Sequence, residues 1–223
     1  MRYLALATDY DGTLATDGAV DGETVAALRR LAASGRKLIL VTGRQLHDVL
    51  RVFPDTALFD AVVAENGGVL YRPSNREIRL LAHPPSVPFV EALQRRGVGP
   101  VWVGQVVVAT VQPNETAVME VIRELGLDLQ VILNKGSVMV LPASVDKATG
   151  LRAALDELAL SPENVVGVGD AENDQAFLAA CGCGVAVANA LDALKRGAQR
   201  VTRGVAGAGV REVIDELIAG DQA

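Results

Sequence analysis

Tyr3-Leu4-Ala5-Leu6-Ala7, followed after Thr8 by Asp9-Tyr10-Asp11-Gly12-Thr13-Leu14, is the stretch on which the reading of this chain turns. The apolar run has the character of a buried strand. A buried strand that delivers two carboxylates into a Gly-Thr turn is costly. Like charges held close together and away from water raise the free energy unless a cation lies between them. A magnesium ion would remove that cost and leave one carboxylate oxygen free to attack phosphorus. An Asx-turn closing the strand, with Gly12 supplying the turn geometry, accounts for the same residues without chemistry.

Outward from that stretch, strand-like and helix-like segments alternate. Asp21 can cap a helix with Val25, Leu28, Leu31 and Ala32 on its apolar face. Lys37–Val41 reads as a second buried strand, running into Thr42-Gly43-Arg44 before another helix, and Ala61–Ala64 as a third. Val69–Tyr71 and Glu77–Leu81 suggest a hairpin. His83-Pro84-Pro85-Ser86-Val87-Pro88 then breaks the pattern as a hinge would.

Beyond the hinge the segments read α-β-β-α-β-β. Helices are expected over 88–96 and 114–125, and strands over Val101–Val103, Val106–Val111, Leu129–Leu133 and Val138–Leu141. Val118, Ile122 and Leu125 form the second helix's apolar face. Such an order fits a small antiparallel sheet with helices on one side. Trp102 is expected to anchor the core of this small unit. The alternating pattern then resumes: a helix over 147–159, a strand Val165–Val168, a helix near Glu172, a strand Val185–Val187 and a last helix with Val210, Val213, Ile214, Leu217 and Ile218. The fold class is therefore α/β, a doubly wound parallel sheet with an inserted α+β unit. The core is assigned to 1–83 and 145–223, and the insert to 84–144.

Composition narrows the class. Of 223 residues, 50% are hydrophobic but only 4% aromatic, so the core is built from Ala, Val and Leu, as suits closely packed parallel strands. A net charge of −6 argues against binding a nucleic-acid backbone. No apolar run approaches the ~20 residues that span a bilayer, and the N-terminus lacks signal-peptide regions, so neither nucleic acid nor membrane is expected as a partner and the cytoplasm is the expected compartment. A monomer or homodimer is expected. Cys181 and Cys183 are two thiols without further partners and are expected as small buried residues.

In an open parallel sheet, loops at the carboxyl ends of the strands gather into one crevice. Asp9 and Asp11 end the first strand. Thr42 ends the second, where its hydroxyl and the following amides can bond phosphate oxygens, or merely cap a helix. Lys147 opens the helix after the insert and can bring a positive charge to the same rim. Gly169-Asp170-Ala171-Glu172-Asn173-Asp174 ends another strand with carboxylates and an amide. Glu65-Asn66 also ends a strand, where a turn and a substrate contact fit equally well.

These four stations, in this order, resemble the four motifs of the haloacid dehalogenase superfamily. The position of the insert, and phrases such as Val41-Thr42-Gly43-Arg44, Glu65-Asn66-Gly67-Gly68 and Asp146-Lys147-Ala148-Thr149-Gly150-Leu151, resemble its subfamily IIB, the Cof type with a C2B cap. Length and the short cap are similar to archaeal-type phosphoglycolate phosphatases and sucrose-phosphate phosphatases. The resemblance implies a magnesium-dependent phosphatase acting on a small soluble phosphate monoester. Asp9 would be the nucleophile and Asp11 the general acid and base. Mg2+ would be held by Asp9, the Asp11 carbonyl, Asp170 and Asp174, and the phosphoryl group by Thr42, Gly43, Arg44, Lys147 and Asn173. A phosphomutase, or a catalytically silent sugar-phosphate sensor, are the competing readings. Lys135, in the turn between the last two strands of the insert, is either a contact to the substrate or a solvated turn lysine.

Overall fold

The computed structural model describes residues 2–220. The chain runs β1 (Ala5–Thr8), α1 (Gly22–Ala33), β2 (Lys37–Val41), α2 (Leu46–Val52), β3 (Ala61–Ala64) and the hairpin β4 (Val69–Arg72) and β5 (Glu77–Leu80). A smaller unit follows: α3 (Val87–Arg95), β6 (Trp102–Val103), β7 (Val108–Val111), α4 (Glu115–Glu124), β8 (Leu129–Asn134) and β9 (Ser137–Pro142). The chain returns through α5 (Lys147–Glu157), β10 (Val165–Gly169), α6 (Gln175–Ala180), β11 (Cys183–Ala186), α7 (Asp192–Gly197), β12 (Arg200–Val201) and α8 (Ala206–Ala219).

The larger sheet has the order β12-β11-β10-β1-β2-β3-β4-β5. It is parallel from β12 to β3, and the β4–β5 hairpin adds an antiparallel edge. All four residues of β1, β3 and the five of β10 are buried, which is why these strands are continuous small apolar runs rather than alternating ones. The helices begin where polar side chains satisfy their first amides. The Asp21 carboxylate accepts the Thr24 N–H at 2.8 Å, and Asp146 and Thr149 form a reciprocal capping box at the start of α5.

The smaller sheet is antiparallel with the order β6-β7-β9-β8. Phe89 and Leu93 of α3 and Val118 and Val121 of α4 pack on Val108, Val138 and Val140. Each unit thus has its own apolar core.

Several expectations change here. α4 ends at Glu124, so Leu125 caps it and is 41% exposed, and Val121 takes the buried position. Trp102 is 50% exposed and lies outside the small unit's core. Val106 and Val107 precede β7 instead of belonging to it, because their amides bond the Glu65 carboxylate and not a neighbouring strand. A single 3-10 turn, Glu172–Asp174, comes before α6. α7 and β12, six and two residues long, carry too short an apolar pattern to be read in advance. Cys181 is buried and Cys183 half-buried.

Candidate active site

The C-terminal ends of β1, β2 and β10 are neighbours in the sheet, and they bring three of the expected stations together. One carboxylate oxygen from each of Asp9, Asp170 and Asp174 lies within 4.8 Å of the others, and all three residues are buried. Lys147, first residue of α5 and 1% exposed, donates to Asp9 Oδ1 at 2.6 Å and to Asp174 Oδ1 at 2.5 Å. The second oxygen of Asp174 accepts the Asp170 and Ala171 amides at 2.8 and 2.9 Å, which folds the acidic loop back on itself. Asp170 accepts from Thr13 Oγ1 at 3.0 Å and from Lys135 Nζ at 2.6 Å. Lys135 also donates to the Asp11 carbonyl at 3.3 Å.

Only glycine fits the turn that makes this possible. Gly12 has φ +82°, and a Cβ there would lie 2.5 Å from Asp170 Oδ2.

Burial first, and the nearby Asp174 charge second, push the Asp9 carboxyl from 3.8 up to about 8; the Lys147 ammonium opposes this but does not cancel it. Burial disfavours the charge on Lys147, yet Asp174 and Asp9 outweigh it and hold the lysine protonated above its ordinary range. The same contest, with Asp170 as partner, raises Lys135. Three carboxylates therefore face two ammonium groups. The donors are hard oxygens, they converge, and with all three ionised they outnumber the ammonium groups, so the cluster fits a divalent cation such as magnesium.

Asp11 sits apart from this cluster. It takes a two-pronged bond from Arg44, Nε to Oδ2 and Nη2 to Oδ1, each 2.7 Å, and Arg44 also donates to Asp48 at 2.6 Å. Arg44 was expected to face a phosphoryl group; the structure directs its guanidinium to two carboxylates. The hydrogen bond with Asp11 leads in raising the guanidinium's already high pKa.

Thr42 is buried, and its hydroxyl accepts the Arg44 amide at 3.1 Å. Asn173 donates to Asn66 Oδ1 at 2.9 Å, close to Gly43. Asn173 Oδ1 and Asn66 Nδ2 are buried without a hydrogen-bond partner among the described residues.

A cavity of about 470 Å3 opens over these groups between the two units. Asp9, Asp11, Gly43, Arg44 and His47 form its floor, and Trp102, Val107, Thr110 and Met139 are among its walls. Sequence reading missed Thr13, whose partner Asp170 is remote in the chain, and Asp48, which bonds Arg44 and Arg51 nearby in the chain, and misplaced Trp102.

A model of the haloacid dehalogenase-like hydrolase family matches residues 6–94 and 131–214, most of the chain. The protein belongs to that family. As a haloacid dehalogenase-like hydrolase it shares 33% identity over 220 residues with a phosphoglycolate phosphatase of Methanothermobacter thermautotrophicus, covering 94% of this chain and 96% of the relative. A haloacid dehalogenase-like hydrolase from Bacteroides thetaiotaomicron has the same fold at TM-score 0.82 and 19% identity, covering 96% of this chain and 99% of that one. A subclass IIB sugar phosphatase superposes at TM-score 0.78 and 18% identity, over 96% and 98% of the two chains. Family and relatives together make the chain an enzyme, a phosphatase of the haloacid dehalogenase-like group. The stretch outside the family match, 95–130, falls in the smaller unit.

Proposed function

We propose that the protein is a magnesium-dependent phosphatase for a small phosphate monoester, with phosphoglycolate as the first candidate, working through a phosphorylated Asp9. The observation that carries the reading is the buried acidic trio beside Lys147, whose member Asp9 lines a cavity walled by the second unit. The name of the 33%-identical relative favours a short phosphorylated acid over a larger ester.

In this reading the Asp9 carboxylate attacks phosphorus and the ester oxygen departs as an alkoxide. Asp11 supplies its proton, then takes one from water as that water attacks the phosphorylated Asp9. Asp11 can reach the ester oxygen and the water only once its carboxylate leaves the two-pronged bond with Arg44. Lys147 and the Thr42 hydroxyl offset charge on the transferring oxygens, where most of the catalysis of phosphoryl transfer lies. Asp9, Asp170 and Asp174, with the Asp11 carbonyl, would hold Mg2+, which supplies further charge neutralisation there. Gly43 shapes the adjoining turn, and Asn173 presents its amide beside it.

Residues 84–144 act as a C2B-type cap. A cavity of about 470 Å3 has room for a whole small phosphate monoester, and its lining from both units limits water around the reacting centre. Lys135 brings a positive charge from the cap to Asp170 and the Asp11 carbonyl, and with Mg2+ on those oxygens the ammonium would be released to meet a substrate carboxylate. Phosphate release measured over a panel of phosphorylated acids and sugars, with magnesium and with chelator, tests the reading. Magnesium-dependent release, fastest for a short phosphorylated acid, is the expected result; no release from any ester would overturn it.

A further inference from the structure

Glu65 directly follows β3 and takes no part in the acid site, yet it is 1% exposed. An ionisable side chain is rarely buried so completely without partners. Its partners come from the smaller unit. Oε1 accepts the Gln105 amide at 3.0 Å, and Oε2 accepts those of Val106 and Val107 at 2.7 and 3.0 Å. Three successive amides converging on one carboxylate make an anion-binding concavity of backbone N–H groups. Bonds to an ionised acceptor are about twice as strong as neutral ones.

The backbone on both sides is shaped for this contact. Glu65, Asn66 and Gly67 all have positive φ, at +52°, +56° and +106°. A Cβ on Gly104 would lie 2.6 Å from Glu65 Oε2, and one on Gly68 would lie 2.7 Å from the Val106 Cβ. The same turn is tied to the site loop. The Glu65 amide donates to the Arg44 carbonyl at 2.9 Å and the Asn66 amide to that of Thr42 at 3.0 Å. On the far side, Val107 continues into β7, and Val107, Ala109 and Thr110 line the cavity together with Trp102 of β6, which pairs with Ala109.

The geometry points to Glu65 as a positioning residue, the pivot that fixes where the wall formed by Trp102, Val107 and Thr110 stands over Asp9 and Asp11. This rests on the phosphatase reading for its kinetic consequence but not for its structural one. A slip of the 104–107 loop by one residue would put Val103 or Gln105, each with a Cβ, where Gly104 now lies against Oε2, so the contact admits one register. A wall displaced by about 1 Å can cost on the order of 10²-fold in kcat/KM with the reacting groups untouched. The loss should fall on esters whose leaving group touches the wall and spare those activated by their own chemistry.

Two variants perturb the pivot from opposite sides. Glu65→Gln keeps the shape but turns an N–H donor toward amide donors. Gly104→Ala leaves the core unchanged and expels the carboxylate. The tests read amide exchange at residues 105–107 against β1, acrylamide quenching of Trp102 (the chain's single tryptophan), and kinetics on phosphoglycolate and on p-nitrophenyl phosphate. Each variant should speed exchange at 105–107 at least tenfold with β1 unchanged, and should increase quenching. The kcat/KM for phosphoglycolate should fall about 10²-fold, mainly through KM, and that for the aryl ester should change less than about threefold. The double variant should lose no more than the worse single one, since both remove one contact.

A folded Glu65→Gln with native quenching and native KM would overturn the proposal. So would equal losses on both esters, or additive losses in the double variant. If Glu65→Gln does not fold, Gly104→Ala decides by the same criteria. If the native enzyme hydrolyses neither ester, phosphoglycolate is not its substrate, while exchange and quenching still decide whether Glu65 sets the wall.

Discussion

Asp9→Asn should make the metal-free protein more stable, although it removes the carboxylate proposed as nucleophile. The unfolded Asp9 carboxyl ionises at its ordinary 3.8, whereas in the folded protein burial and Asp174 push it up to about 8. Between those values the folded state binds the extra proton, so native stability falls as pH rises through that window and levels off above about 8. At pH 7 the gap is roughly three pH units at about 1.4 kcal/mol each, a cost on the order of 4 kcal/mol. Asparagine never ionises and avoids it. Lys147 keeps its bond to Asp174 in the variant. At about 2–4 °C per kcal/mol for a chain of this size, the gain in Tm is roughly 8–16 °C at pH 7. Calorimetry in chelator across the window checks it: the gain should be small near pH 4, grow toward pH 8, and shrink or reverse with excess magnesium, which favours the native carboxylate. A variant no more stable than the native protein near pH 8, or a gain that ignores pH, would refute the reasoning.

Asp11→Asn should slow turnover by about 10²–10⁴-fold while leaving Asp9 able to attack a good leaving group, so mass spectrometry should find a phosphorylated Asp9 that decays slowly. Gly12→Ala should lower both stability and magnesium affinity, because its Cβ meets Asp170 Oδ2 at 2.5 Å in a left-handed turn; thermal melts with and without magnesium read both effects. Lys135→Ala should raise KM for phosphorylated acids more than for neutral sugar phosphates, as steady-state kinetics on the two classes would show; equal KM changes would remove it from recognition.

Much of the fold was legible because parallel strands buried on both faces leave short apolar runs, and each run here ends in a chemically distinctive residue. Asp9, Asp170 and Asp174 could be placed together from that pattern, since topology alone makes the ends of β1 and β10 neighbours. What escaped was set by pairing rather than by residue type. Trp102 looked like a core anchor, but β6 is a two-residue strand whose orientation follows from its register against Ala109. Arg44 could not be seen to grip Asp11, because nothing in either residue names a partner 33 positions away. The Glu65 contact was unreadable for a deeper reason. Its partners are backbone amides, which every residue but proline carries.

The pairing of β1 with β10, Ala5 against Val165, also bears on how the protein comes into being. A growing polypeptide emerging from the ribosome delivers Asp9 and Asp11 about 160 residues before Asp170 and Asp174. Until then one side of β1 has no neighbour, and the strand is an open edge available to any other unpaired strand. No fragment ending before β10 holds the complete acidic trio. Completion of the acidic trio and sealing of the central sheet are therefore joined in time, both accomplished by the same stretch of chain.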